Sequence, residues 1–319
     1  MYADRKPTLA VVLWSAFAGL LTGCAPPPDA ETATIRFAFQ DRVGSAIPIV
    51  AVAKNYFAAH GLRVEPLRFN SGPACAEALY SGSADIGAMG DTTAVITTSR
   101  ETPFIIVASH AAGEHRHRLI VRQDAPFEEL ADLRGRRVGI KKGTSTFGGF
   151  LAALDATGIS PQAVDIVDLN PGTMPDALRA GSIDAFAASE PTPSIGELNG
   201  GRELTTFGGL GNQYPIMLLA HKDLLRDTSL MSRFFAALRD AEAFVRENRV
   251  DTIAVLADVT GLPSQTLERA MQRHTYRLAL DADILASLKE TAAYLRDQGH
   301  IAQIPDFSTR TTRSRVTRD

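Results

Sequence analysis

Two stretches of one pattern decide the fold: residues 78–91, ALYSGSADIGAMGD, and residues 177–190, ALRAGSIDAFAASE. Both fit A-L-x-x-G-S-x-D, and in both the Asp leads into an apolar run, IGAM in one and AFAA in the other. The first half of the frame reads as a helix closing on glycine, which adopts the left-handed C-cap conformation without steric cost. The apolar run reads as a buried strand. Each strand then meets polar residues, Gly90, Asp91 and Thr92 in one copy and Ser189, Glu190 and Pro191 in the other. In open α/β sheets ligands bind outside the carboxyl ends of strands, so two such ends from two similar halves point to a cleft between two lobes.

From Thr34 the same alternation extends along the chain. TIRFAFQ (34–40) is a strand pattern, and residues 47–61 carry helical apolar spacing that stops at Gly61. Strand RVEPLRF (63–69), a helix near 73–80, a helix from Thr92 and strand PFIIVAS (103–109) complete the first series. A second series starts near Phe127: strand RRVGI (136–140), a glycine turn, a helix ending at Gly158, strand VDIVDL (164–169), the second repeat copy and a weak strand near 203–206. Such alternation predicts mixed, mostly parallel sheets covered by helices on both faces. HRLIVRQ (117–123) and YPIMLLAHK (214–222) stand between the series and are expected as two crossing strands of a hinge. Helical periodicity at 229–248, with shorter stretches near 263–274 and 282–298, returns the chain to the first lobe. The expected organisation is an α/β fold with residues 34–119 and 220–305 in lobe 1 and residues 120–219 in lobe 2.

At 319 residues, 45% hydrophobic and 22% charged, the chain is long enough for two cores. A net charge of −3 without a basic stripe in the body excludes a nucleic-acid footprint. Arg5 and Lys6 precede TLAVVLWSAFAGLL (8–21), an apolar run of signal-peptide length that is shorter than the about 20 residues of a spanning helix. Leu21-Thr22-Gly23-Cys24 then resembles a bacterial lipobox, in which the cysteine becomes the first mature residue and carries the lipid. Residues 1–24 are expected as a lipoprotein signal peptide, Cys24 as the lipid attachment point, and residues 25–33, with three consecutive prolines, as a tether. Acylation of Cys24 leaves Cys75 without an intramolecular partner, so no disulfide framework is expected. DFSTRTTRSRVTRD (306–319), with Arg310, Arg313, Arg315 and Arg318 among Ser and Thr, is expected as a disordered basic tail.

The run DLRGRRVGIKKGTSTFGGFLAAL (132–154) resembles the start of the second lobe in substrate-binding proteins of ABC importers, of the nitrate/sulfonate/taurine-binding and pyrimidine-precursor-binding kind. SGPACAEALYSGSADIGAMGDTTAV (71–95) and DALRAGSIDAFAASEP (176–191) are similar to further segments of that family, in family order. The resemblance implies a type II periplasmic-binding-protein fold that holds a small molecule between its lobes. It also implies a partner permease and ATPase, and with the lipobox an extracytoplasmic, membrane-anchored location. The chain is read as a monomer without cofactor or metal.

Candidate ligand contacts are polar residues at strand ends and helix starts. Lys142, Gly143, Thr144, Ser145 and Thr146 lie between a strand and a helix, where free backbone N–H groups, hydroxyls and the helix dipole form an anion receptor. The family places its second-lobe contacts at this turn. In the first lobe Gln40, Arg42, Gly44 and Ser45 occupy the first strand-to-helix turn, and Arg42 is suited to bidentate pairing with an oxyanion. Ser71 and Gly72 precede the helix of Cys75, Asp91 and Thr92 start another helix, and Ser109 and His110 end a strand. Asp91 and Glu190, at equivalent strand ends, are expected as a pair of cleft acids suited to a cationic or hydrogen-bond-donating ligand group, with Tyr214 as the lining aromatic. The bland readings are helix capping for Thr144, Ser145 and Asp91 and a solvated loop for Arg42. His110, His115 and His117 lack zinc-ligand company, and no hydrolase elbow, Walker loop, dinucleotide fingerprint or H-E-x-x-H motif is present.

These readings predict a non-catalytic solute receptor for a sulfonate or amino sulfonate. Three alternatives stay open: a pyrimidine-like heteroaromatic ligand read by Glu190 and Tyr214, an enzyme on the same fold using Cys75 or His110, and a sensory domain that signals by closure.

Overall fold

The computed structural model describes residues 34–312 together with residues 1–2; the expected signal peptide from residue 3, Cys24, the tether and the tail beyond Thr312 lie outside the described residues. The first series runs β1 (Thr34–Gln40), α1 (Ala46–Ala53), α2 (Tyr56–Ala59), β2 (Arg63–Phe69), α3 (Gly72–Tyr80), β3 (Ile86–Gly90), α4 (Asp91–Ser99) and β4 (Phe104–Ala112). The second runs β5 (His117–Arg122), β6 (Arg137–Ile140), α5 (Ser145–Ala156), β7 (Asp165–Asp168), α6 (Met174–Arg179), β8 (Ala185–Ser189), α7 (Thr192–Leu198) and β9 (Gly201–Thr206). The return comprises β10 (Ile216–His221), α8 (Thr228–Glu247), α9 (Arg249–Thr260), α10 (Ser264–Gln272), β11 (Thr275–Ala279), α11 (Ala282–Asp297) and α12 (Phe307–Arg310).

These strands form two mixed sheets, ordered β11-β4-β10-β3-β1-β2 and β7-β6-β8-β5-β9. In the first, β1 is parallel to β2 and β3, and β10 is antiparallel to β3 and β4. In the second, β6 is parallel to β7 and β8, and β5 is antiparallel to β8 and β9. The second sheet therefore repeats the topology β2-β1-β3-β10-β4, and β11 is an addition at the first sheet's edge. The one antiparallel strand inserted at the middle of each sheet is supplied by the chain arriving from the other lobe. Each run expected to cross thus belongs to a single sheet, β5 to the second and β10 to the first. The crossings fall just before them, at residues 113–116 and 207–215, which divides the lobes into 34–112 with 216–312 and 117–206.

The repeated sequence frame has a physical meaning. Gly82 and Gly181 end their helices at φ +72° and +70°, and the Asp of each copy clasps an arginine at the start of the neighbouring parallel strand. Asp85 accepts from the Arg36 backbone N–H at 2.8 Å and from Nη2 at 2.6 Å, while Arg36 Nη1 reaches the Gly82 carbonyl at 2.6 Å. Asp184 accepts from the Arg137 N–H at 2.9 Å and Nη2 at 3.1 Å, and Nη2 reaches the Gly181 carbonyl at 2.9 Å. One carboxylate thus orients a helix end and two strands in each lobe.

Each sheet is covered on both faces. In lobe 1 Phe37, Phe57 and Phe234 pack within 5.3–6.4 Å of one another under α1 and α8, each burial contributing roughly 1.5–3 kcal/mol. The opposite face packs against α3, α4 and α11. In lobe 2 the α5 face holds Phe150, Leu154 and Phe207, and the α6–α7 face holds Phe186 and Met174. The disordered tail expected from residue 306 is corrected for residues 306–312. Asp306 caps α12, Phe307 is buried, Arg310 donates to the Arg100 and Thr102 carbonyls, and Thr311 bridges to Ile106 of β4. One buried aromatic and the bonds from Arg310 to two carbonyls anchor a segment whose composition alone argues for disorder.

Candidate functional site

At the carboxyl ends of β1 and β3 in one lobe and β6 and β8 in the other lies a narrow cavity, partly open to solvent. From lobe 1, Gln40 ends β1, Ser71 and Gly72 open α3, Gly90 ends β3 and Ile216 begins β10 at its wall. From lobe 2 come Lys141 after β6, Thr144, Ser145 and Thr146 at the start of α5, and Ala187, Ala188 and Ser189 of β8, with Pro171 and Met174 adding an apolar patch. Arg42 reaches in from the turn after β1 and Arg116 from the crossing before β5.

Positive charge dominates this wall. Arg116 is buried; its Nε and Nη2 donate to the Tyr214 carbonyl at 3.2 and 2.8 Å, and Nη1 donates to Ser189 Oγ at 2.7 Å. Arg42 is half-buried and donates to the Asn70 carbonyl at 2.7 Å. Among the described residues neither guanidinium has a carboxylate within ion-pair distance, and no acid lines the cavity. Desolvation pushes both down to about 10, with Arg42 contributing to the shift of Arg116, so both stay charged at neutral pH. Lys141 is paired with Asp168 at 3.2 Å.

The uncharged groups are oriented to match. Thr144 caps α5 through its hydroxyl, which accepts from the Phe147 N–H; the first N–H groups of a helix have no intrahelical acceptor and face outward along its axis. Ser145 Oγ is buried without a partner. His117 Nδ1 shares a 2.6 Å hydrogen bond with Thr146 Oγ1, and His117 Nε2 is buried without a partner. Burial, with Arg116 nearby, holds the His117 imidazole well below its ordinary value, hence neutral.

Of the residues expected to meet a ligand, the structure brings Gln40, Arg42, Ser71, Gly72, Thr144, Ser145 and Thr146 to this cavity. The acid pair is corrected. Asp91 is buried and accepts from the Thr92 N–H at 2.8 Å, Asn212 Nδ2 at 3.0 Å and Thr291 Oγ1 at 2.8 Å, tying α4 to the second crossing and to α11. Glu190 accepts from Arg118 Nη1 and Ser194 Oγ, both at 2.8 Å, within a network that includes Glu197, Glu203 and Arg273. Neither lines the cavity. Tyr214 is also corrected: its hydroxyl donates to the Phe207 carbonyl at 2.7 Å and its ring packs edge-on against His117, behind the wall.

Gly44 and Ser45 are buried in the turn before α1, where a side chain on Gly44 would meet Ile216 Cδ1 at 2.8 Å. Thr92 faces Gly148 of α5, and the Gly143 carbonyl accepts from Thr93 Oγ1 at 2.8 Å, so both form contacts between the lobes. Ser109 turns to the Ala111 carbonyl, and His110 is fully buried with both ring nitrogens unpartnered and its imidazole pushed down to about 3 by burial and by Arg116. Cys75 is buried in the lobe 1 core, and desolvation pushes its thiol up to about 12.

The residues missed by sequence reasoning are chiefly Arg116, His117, Lys141 and Met174. The run Glu114-His115-Arg116-His117-Arg118 is the one sequence signal: Glu114 and His115 are exposed, but Arg116, His117 and Arg118 are buried and find internal partners.

Comparison with known proteins agrees with this architecture. A family profile described as NMT1/THI5 like matches residues 44–250, well over half of the chain. A protein of Escherichia coli (strain K12) named for binding aliphatic sulfonates is 26% identical over 233 residues, 72% of this chain and 73% of its own length. The taurine-binding periplasmic protein of the same organism is 26% identical over 325 residues, 96% of each chain. The alkanesulfonate-binding protein SsuA from Xanthomonas axonopodis pv. citri, solved bound to MOPS, superposes with TM-score 0.81 at 23% identity, covering 89% of this chain and 100% of that one. A desulfurization enzyme, DSZB, superposes with TM-score 0.68 at 16% identity, covering 88% and 96%. The two-lobed fold of periplasmic binding proteins is therefore shared.

Proposed function

The chain belongs to the NMT1/THI5-like family, and from that premise we propose that it is an extracytoplasmic solute receptor that captures an organic sulfonate between its lobes and delivers it to an ABC importer. One observation carries the reading: two guanidiniums, Arg42 and Arg116, face a cavity that no carboxylate lines, beside the unpartnered Ser145 Oγ and His117 Nε2. A buried charge without a counter-charge is costly, and an oxyanion supplies the missing partner. A sulfonate offers three oxygens in a tripod, enough for a guanidinium, the α5 N–H groups and one hydroxyl or imidazole at once. Hydrogen bonds of this charge-assisted kind contribute about 1.5–3 kcal/mol each. The names of the relatives point the same way.

Binding needs no chemistry on the ligand. An enzyme on this fold would require a reactive nucleophile at the cavity, whereas the Cys75 thiol is buried in the core and His110 lies off the wall. The heteroaromatic alternative rested on Glu190 and Tyr214, which also lie off it. We further propose lipid attachment at Cys24, a monomeric receptor, and delivery to a permease and ATPase.

Calorimetric titration of the full chain with propane-1-sulfonate, taurine, nitrate, thymine and glycine tests the reading. Saturable binding of a sulfonate, with its mass unchanged after incubation, supports the proposal. Binding of thymine alone, or consumption of the sulfonate, overturns it.

A further inference from the structure

The cavity holds two anion-binding poles, and they come from different lobes. In lobe 1 Arg42 stands beside Ser71 and Gly72 at the start of α3; in lobe 2 Ser145 Oγ, His117 Nε2 and the start of α5 form the other. Arg116, on the crossing between lobes, lies within electrostatic reach of Arg42. Each helix start adds roughly half a positive charge.

The acids in the neighbourhood are committed elsewhere. Asp91 partly offsets Arg116 from behind the wall, but all its hydrogen bonds come from Thr92, Asn212 and Thr291. Glu190 serves Arg118 and Ser194, and Asp168 serves Lys141. After these pairings the wall retains more positive charge than one sulfonate neutralises. No carboxylate on it is placed to pair with a ligand ammonium.

Resting on the sulfonate reading, we infer that the preferred cargo is a dianion: an organosulfonate with a second acidic group, one acid seated at each pole, so that the ligand itself bridges the two lobes. A second acid supplies a partner for the guanidinium that the sulfonate leaves free, whereas a monoanion leaves one of the two uncompensated. An ammonium at the second position would face Arg42 or Arg116 directly.

Three probes of similar length separate the cases: 3-sulfopropanoate with two negative charges, propane-1-sulfonate with one, and 3-aminopropane-1-sulfonate as a zwitterion. Titrated into the full chain at low salt and neutral pH, 3-sulfopropanoate is expected to bind at least tenfold more tightly than propane-1-sulfonate, with the zwitterion weakest. Arg42→Gln is expected to shrink that tenfold gap while propane-1-sulfonate changes less. If propane-1-sulfonate or the zwitterion binds as tightly as the dianion, the dianion inference falls and the sulfonate receptor stands. If none of the three binds, the sulfonate reading itself falls, and the inference with it.

Discussion

Gly90 offers the most direct perturbation of lobe closure. It ends β3 with φ −65° and ψ 161°, extended backbone that any residue adopts. A Cβ built there would lie 2.1 Å from Ser145 Oγ and 3.3 Å from Ser145 Cβ, and the three nearest atoms all belong to Ser145 on the opposite lobe. Alanine displaces one hydroxyl, which a rotation of Ser145 accommodates. Valine adds two methyl groups that no rotation clears. Overpacking of this kind costs about 1–3 kcal/mol, and the cost is paid only when the lobes meet. At 1.4 kcal/mol per tenfold, Gly90→Val should weaken ligand binding roughly 5- to 150-fold, while Gly90→Ala should weaken it less than tenfold. The unliganded melting temperature should stay unchanged for both, because neither lobe contains the clash. Titration calorimetry gives the affinities, and small-angle scattering with and without ligand gives the closure. An affinity for Gly90→Val within threefold of the parent would show that the Gly90–Ser145 contact does not form on binding, and the closure argument would fail.

Three further outcomes follow from single groups. Arg116→Gln should lower ligand affinity at least thirtyfold, since truncating one partner of a buried charge contact costs about 2–5 kcal/mol; unchanged titration would remove Arg116 from the site. Asp184 is held below the ordinary carboxylate range by its hydrogen bonds to Arg137. Its stabilisation is therefore fully present above the unfolded value near pH 3.9 and lost as pH falls through the lowered folded value, so Asp184→Asn should melt earlier at pH 7 and lose less between pH 5 and pH 2.5. In a Cys24→Ser chain the buried Cys75 thiol, pushed up to about 12, should resist a disulfide reagent at pH 8 until denaturant is added; rapid labelling of the native protein would contradict its placement in the core.

The repeat was legible because its meaning is local. Gly82 and Gly181 end helices, and Asp85 and Asp184 take the arginine of the next parallel strand; the same residue types at the same spacing perform the same task twice. The exchange of β5 and β10 between sheets was less legible. HRLIVR and IMLLAH read as central strands, but an apolar run carries no mark of which sheet receives it, and so the crossings were set a few residues late.

The site divides along the same line. Helix starts announce themselves through glycine and hydroxyl residues, which is why Ser71, Gly72 and Thr144 to Thr146 were found at the cavity. Asp91 and Glu190 shared the right position on their strands, yet position does not say whether a carboxylate faces a ligand or an internal donor. Asp91 is satisfied by Asn212 and Thr291, 121 and 200 residues away in sequence, and no local pattern encodes partners at that separation. The misreading had a chemical consequence: two cleft acids call for a cationic group on the ligand, and their removal from the cavity leaves Arg42 and Arg116 to set its charge. The charge of this cavity is set by which acids internal donors withdraw, Asp91 to Asn212 and Thr291 and Glu190 to Arg118 and Ser194, as much as by which bases line it.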